Sequence, residues 1–199
     1  MPNYDAVVYL LPTSELTIQQ LKSILPTSIV QAACSRYKSQ SRQFEFLATR
    51  ALLSAICDSE TTIAYHATGR PYLCGEDVSC ISISHTEGYV AIALCDIPIG
   101  MDIEHVSARQ LLLRQRFMAD TEWLQALQYA TPEMAAAIGW SAKEALYKLV
   151  DEPGVSLCEG LACEWRTDSL LYDQRRNNEI QVKLYNDLVI AIAYEKSGI

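Results

Sequence analysis

The 199-residue chain carries a formal net charge of −8, is 50% hydrophobic and has 20% charged residues. Such a chain can bury a sizeable core as one large domain or two small ones packed together. Its acidity argues against general nucleic-acid binding, and no stretch approaches the roughly 18 apolar residues of a membrane span.

The run "YDAVVYLLP" near the N-terminus is short, lacks a basic flank and contains Asp5. It reads as a first strand, residues 5–11, and not as a signal peptide. "TSELTIQQLKSIL" then predicts a helix capped by Thr13 or Ser14, with Leu16, Leu21, Ile24 and Leu25 at helical spacing, broken by Pro26. A longer helix is expected from about Arg42. Phe44, Leu47, Ala48, Ala51, Leu52 and Ala55 make its apolar face, and Arg50 lies off that stripe.

The period then changes. "TIAYHA", "SCISISH" and "GYVAIALCD" read as short strands, the last two joined by the tight hairpin "HTEGY", and residues 97–105 form the next strand. Helices are expected at 107–118, 120–129 and 132–150, and four strands at 161–166, 169–173, 179–185 and 187–194. "YVAIALCD" (89–96) resembles "LVIAIAYE" (188–195), each after a long helix, a faint repeat that suggests two halves meeting near residue 97. Seven cysteines, at 34, 57, 74, 80, 95, 158 and 163, form no Cys-x-x-Cys pair, which suits reduced thiols in the cytosol better than a disulfide framework.

Four short motifs carry chemistry. In "IGMDIEH" (99–105), strand alternation points Asp102 and Glu104 the same way. Two carboxylates about 4 Å apart repel by ~4 kcal/mol at an effective dielectric of 20. If buried, they need a cation or a shared proton, and Mg²⁺ favours such oxygen ligands; an exposed edge strand with two solvated acids fits the pattern too. In "GWSAKEALYKL" (139–149), Glu144 and Lys148 share a helix face, as a third oxygen ligand beside a phosphate clamp or as an ordinary surface ion pair. Lys143 adds positive charge on an adjacent face. In "GRPYL" (69–73), Gly69 permits an unusual backbone angle and Pro71 holds Arg70 extended, in a plain turn or a rigid presentation of Arg70. In "SISHTEG" (82–88), Ser84 and His85 end a strand.

In this order the motifs resemble the 4′-phosphopantetheinyl transferases, in particular the surfactin-synthetase-activating type. That family carries a Gly-Lys/Arg-Pro loop, a Ser-His strand end, a Gly-x-Asp-x-Glu strand and a Trp-x-x-Lys-Glu-x-x-x-Lys helix. The likeness runs from Gly69 to Lys148, about two-fifths of the chain. Arg70 stands in place of a common lysine, and Met101 in place of a branched apolar residue.

The resemblance implies an α+β pseudo-dimer of two similar α/β halves, 1–97 and 98–199, with the active site in the cleft between them. It implies Mg²⁺-dependent transfer of phosphopantetheine from coenzyme A to a serine of an apo acyl or peptidyl carrier protein, releasing 3′,5′-ADP. On that pattern Asp102, Glu104 and Glu144 are the magnesium ligands. Lys148 contacts the pyrophosphate, Ser84 and His85 lie near the coenzyme phosphates, and Arg70 and Arg50 lie toward the nucleotide 3′-phosphate. Glu144 serves as the base, directly or through a water on the metal. The enzyme is expected to be a cytoplasmic monomer. The segment 107–118, with Arg109, Arg114, Arg116 and several leucines, is part core and part carrier contact. A different Mg²⁺-dependent phosphate or pyrophosphate hydrolase, or a non-catalytic carrier-binding module, are the alternatives.

Overall fold

A computed structural model of the chain describes residues 6–75, 80–173 and 175–195. The first strand, β1 (Val7–Pro12), leads to three helices, α1 (Ile18–Ile24), α2 (Thr27–Arg36) and α3 (Gln40–Ile56). Strands β2 (Thr62–Tyr65) and β3 (Pro71–Cys74) form a separate hairpin, and β4 (Cys80–Thr86), β5 (Tyr89–Cys95) and β6 (Ile99–His105) follow. Helices α4 (Ala108–Leu113), α5 (Asp120–Ala126) and α6 (Pro132–Val150) precede β7 (Glu164–Trp165), β8 (Leu170–Asp173), β9 (Asn178–Tyr185) and β10 (Leu188–Glu195). The fold is α+β, with antiparallel sheets ordered β1-β5-β4 and β6-β10-β9-β8-β7.

Strand alternation builds the layers. On β5, Val90 and Ile92 pack with Leu47, Ala48 and Leu52 of α3, whereas Ala91, Ala93 and Cys95 face the other sheet. On β10, Val189, Ala191 and Ala193 pack under α6, whereas Ile190, Ile192 and Tyr194 face back. The two sheets therefore share an inner apolar layer, closed by Ile99, Met101 and Ile103 of β6, and each carries helices on its outer face. The opposite face of β6 bears Gly100, Asp102 and Glu104. A Cβ on Gly100 would lie 1.9 Å from the Ala145 carbonyl oxygen, so glycine there lets α6 sit directly on the strand.

Several expectations shift. Asp5, the start of the expected first strand, lies outside the described residues. The cap of α1 is Thr17, in a reciprocal capping box with Gln20, and not Thr13 or Ser14. Pro26 does not simply end a helix but caps the next one, α2. On α3, Leu53 is buried and Ala55 exposed, a small rotation of the expected stripe. The segment 107–118 breaks into α4 and a 3-10 turn at Arg114–Arg116. "PYLC" pairs as β3 where only a loop was expected, which leaves Gly69 (φ +93°) and Arg70 at the hairpin tip. Among the described residues no helix is long and apolar enough to cross a membrane.

Candidate active site

The strand β4 reads Ile-Ser-Ile-Ser-His-Thr, which puts hydroxyls on every second residue along the edge facing β6. These hydroxyls replace a backbone ladder. Ser82 Oγ accepts from the Met101 N–H at 2.8 Å, and Ser84 Oγ from the Ile103 N–H at 3.3 Å. Ser84 donates to Asp102 Oδ1 and Thr86 to Glu104 Oε1, each at 2.8 Å.

Lys148 reaches the same point from α6. Its Nζ donates to Asp102 Oδ1 at 2.9 Å, the Met101 carbonyl at 2.8 Å and Ser84 Oγ at 3.1 Å. It thus pairs with Asp102 across the element boundary, unlike the i,i+4 surface pair weighed from the sequence. Asp102 is 7% exposed, neither edge-exposed nor solvated, and its buried Oδ2 has no hydrogen-bond partner.

Glu144 stands one turn before Lys148 on α6. Burial pushes its carboxyl above the usual range; the charge of Asp102 pushes it further, Lys148 pulls it back, and Glu104 adds a smaller push upward. Glu144 is therefore within electrostatic reach of Asp102 and Glu104. Among the described residues no three acidic, cysteine or histidine side chains are grouped as a ready-made metal cage; Ser84 and Lys148 hold one oxygen of Asp102, and Thr86 holds one of Glu104.

Beside these acids a cavity of about 490 Å³ opens between α3, the β2–β3 hairpin, β4 and α6. Arg42, Arg50, Arg70, His85 and Lys148 all line it. Arg50 lies 3.6 Å over the Phe46 ring and donates to the Tyr65 hydroxyl at 3.1 Å. His85 Nε2 stands 3.4 Å from both Arg42 Nη1 and Glu45 Oε2. Arg70 donates to the Leu149 carbonyl, in the last turn of α6, at 3.3 Å. Ser82, not Ser84, reaches the cavity wall; Ser84 is buried, its hydroxyl shared among Asp102, Ile103 and Lys148.

Arg42 and Phe46, not among the expected site residues, line the cavity as well: Arg42, Phe46 and Arg50 follow at i, i+4 and i+8 on one face of α3. Thr86 was not expected at the site either, although its alternation with Ser82 and Ser84 was the available signal. Lys143 needs correction: it is 1% exposed and points away from the cavity. Its Nζ sits 2.6 Å from Glu122 Oε1 and donates to the Leu157 and Leu161 carbonyls. On α4 and the turn after it, Arg109, Leu112 and Arg116 are exposed, Arg114 pairs with Asp120 at 2.8 Å, and Phe117 and Met118 are buried.

The cavity's lining, with Arg42, Arg50, Arg70, His85 and Lys148 against Glu45 and Asp151, suits a multiply charged anion; Asp102, Glu104 and Glu144 do not line it, and Lys148 links it to Asp102. Residues 98–193, just under half the chain, match the family model of the 4′-phosphopantetheinyl transferase superfamily. That family uses coenzyme A as donor and acts on carrier proteins, and the match supports a place for the chain within it and phosphopantetheine transfer in general. No curated protein matches the chain.

Proposed function

We propose that the protein is a phosphopantetheinyl transferase of the surfactin-synthetase-activating type. It moves 4′-phosphopantetheine from coenzyme A to a serine of an apo acyl or peptidyl carrier, with Mg²⁺, and releases 3′,5′-ADP. In this reading halves 1–97 and 98–199 form a pseudo-dimer, and the enzyme is a cytoplasmic monomer. One observation carries it: five cationic or imidazole side chains, from both sides of residue 97, line one cavity, and one of them, Lys148, also pairs with Asp102 of the acidic strand β6.

The residues suit a divalent cation. Asp102 Oδ2 is buried without a partner, and Glu144, pushed up chiefly by burial, is pushed further by the charges of Asp102 and Glu104, which a bound cation would offset. Asp102, Glu104 and Glu144 would hold Mg²⁺, which when bound offsets the negative charge of the pyrophosphate and of the departing nucleotide.

The chain's own side chains do the rest. Arg70 and Arg50 bind the nucleotide phosphates, Arg50 already braced by Phe46 and Tyr65. His85 and Lys148 supply donors along the pyrophosphate, and Ser84 fixes Lys148 and Asp102 relative to each other. The carrier serine is a weak nucleophile at neutral pH. Glu144 takes its proton as the serine oxygen bonds to the phosphorus nearer pantetheine. The bond from that phosphorus to the bridging oxygen breaks, and 3′,5′-ADP leaves with the electron pair. No cysteine is required.

The test is incubation with coenzyme A and Mg²⁺, with and without an apo carrier. The expected result is a phosphopantetheine mass gain on the carrier and 3′,5′-ADP only when the carrier is present. Nucleotide release without carrier would favour a hydrolase, and carrier binding without release a binding module.

A further inference from the structure

The hairpin tip that carries Arg70 is tied to the end of α6 by contacts the transfer chemistry does not use. Thr68 Oγ1 donates to Asp151 Oδ2 at 3.0 Å and accepts the Arg70 backbone N–H at a long 3.5 Å. Arg70 in turn donates to the Leu149 carbonyl. Asp151 is the C-cap of α6, in the left-handed region at φ 55°, and its own N–H bonds the Tyr147 carbonyl. Beyond these contacts the tip is open, with nothing within 4 Å of a Cβ built on Gly69. A two-stranded hairpin of four residues a side has little stability of its own, so its tip is placed by what it docks on.

The docking matters because Arg70 and Lys148 come from different halves yet line one cavity. Arg70 has five N–H donors in a rigid fork. The Leu149 carbonyl engages one, and orientation of the rest depends on where the tip sits. We infer that Asp151 is a positioning residue: by accepting from Thr68 it holds the Gly69–Arg70 tip against the end of α6, so that Arg70 and Lys148 present to one anionic ligand. This rests on the transferase reading, with coenzyme A as that ligand.

A purely electrostatic role predicts the opposite sign. Asp151 is itself an acid lining a mostly basic cavity, so removing its charge should tighten anion binding unless its contact with Thr68 matters more. The experiment measures coenzyme A affinity by calorimetry for the full-length protein and three variants. D151G keeps the left-handed cap but loses the acceptor; D151N keeps both cap and acceptor without the charge; T68V removes the donor at constant shape. We expect affinity to fall about five- to tenfold in D151G and T68V, on the scale of one ordinary lost hydrogen bond, and to be retained or improved in D151N. Thermal melting of ligand-free D151G and T68V should fall only by the few degrees that one lost hydrogen bond costs, and D151N should melt with the wild type. Unchanged or tighter binding in D151G and T68V would overturn the inference, as would an equal loss of affinity in D151N, which keeps the acceptor. If the wild-type protein binds no coenzyme A, the transferase reading fails first and this one with it.

Discussion

Asp102 and Glu104 sit two positions apart on β6, and each meets a hydroxyl from a residue two positions apart on β4. Glu144 on α6 is pushed toward its neutral form, first by burial and then by the charges of Asp102 and Glu104, with Lys148 pulling the other way. Replacing it should separate function from stability. E144Q should lose at least about a hundredfold in transfer rate, the scale of a general base, before any loss of cation binding is counted. In the absence of Mg²⁺ it should melt no lower than the wild type, because a repelled, part-buried charge is gone; near-normal turnover would refute its role. Cys163 offers a cleaner titration. Burial, chiefly, pushes its thiol up to about 12, with Lys143 pulling down and Glu122 and Asp173 pushing up. The unfolded thiol ionises near 9.0, so between these values the unfolded chain binds fewer protons than the native one. Its contribution to stability is intact below about pH 9 and falls as pH rises, by about 1.4 kcal/mol per unit. Under reducing conditions, chemical denaturation of C163A should show a shallower alkaline loss than the wild type between pH 9 and 11. Identical slopes would mean the thiol ionises in the fold.

At the scale of elements, the site depends on how closely α6 lies on β6. A methyl on Gly100 would meet the Ala145 carbonyl oxygen at 1.9 Å and the Leu149 nitrogen at 2.6 Å, both backbone atoms that cannot rotate away. Ala145 follows Glu144 and Leu149 follows Lys148, so lifting this stretch of helix moves both. G100A should cost at least the ~1–3 kcal/mol of core overpacking, read as a lower urea midpoint at unchanged slope. The surviving folded fraction should also transfer more slowly; full activity per folded molecule would show that the spacing is not critical. The strand and helix alternation was legible in the residues because burial enforces it: β5 and β10 are continuous apolar runs, and α6 reads as one helix from Pro132 to Val150. What escaped was set by contacts distant in sequence. Pro26 looks like a terminator from within α1, and only its placement shows it heading α2. Lys143 looks like one more surface lysine on a charged helix, and only Glu122, from another helix, together with the carbonyls of Leu157 and Leu161, shows it to be a buried strut. The site acids were readable as a motif, but the hydroxyl row that aims two of them belongs to β4, whose neighbour β6 is not its hydrogen-bonded ladder partner.

At the scale of the whole molecule, the two large sheets are joined by more than the cavity. Ile99, Met101, Ile103, Ile190, Ile192 and Tyr194 of one sheet lie against Ala91, Ala93 and Cys95 of the other. Severing the chain near residue 97 would turn that inner layer into an exposed apolar face on a five-stranded sheet, a surface that associates rather than stays in solution. It would also leave β6 without the Ser82 and Ser84 hydroxyls that receive its Met101 and Ile103 N–H groups. The matched span, residues 98–193, should therefore not behave as a free-standing domain. Expressed alone, residues 98–199 should aggregate, and co-expression with 1–97 should return a soluble complex. The cavity is shared in the same way: Arg42, Arg50, Arg70 and His85 precede residue 97 and Lys148 follows it. A soluble C-terminal fragment that bound coenzyme A as tightly as the intact chain would contradict both the shared core and the shared site. A complex of the two fragments that restores binding would locate the affinity in the cleft between them.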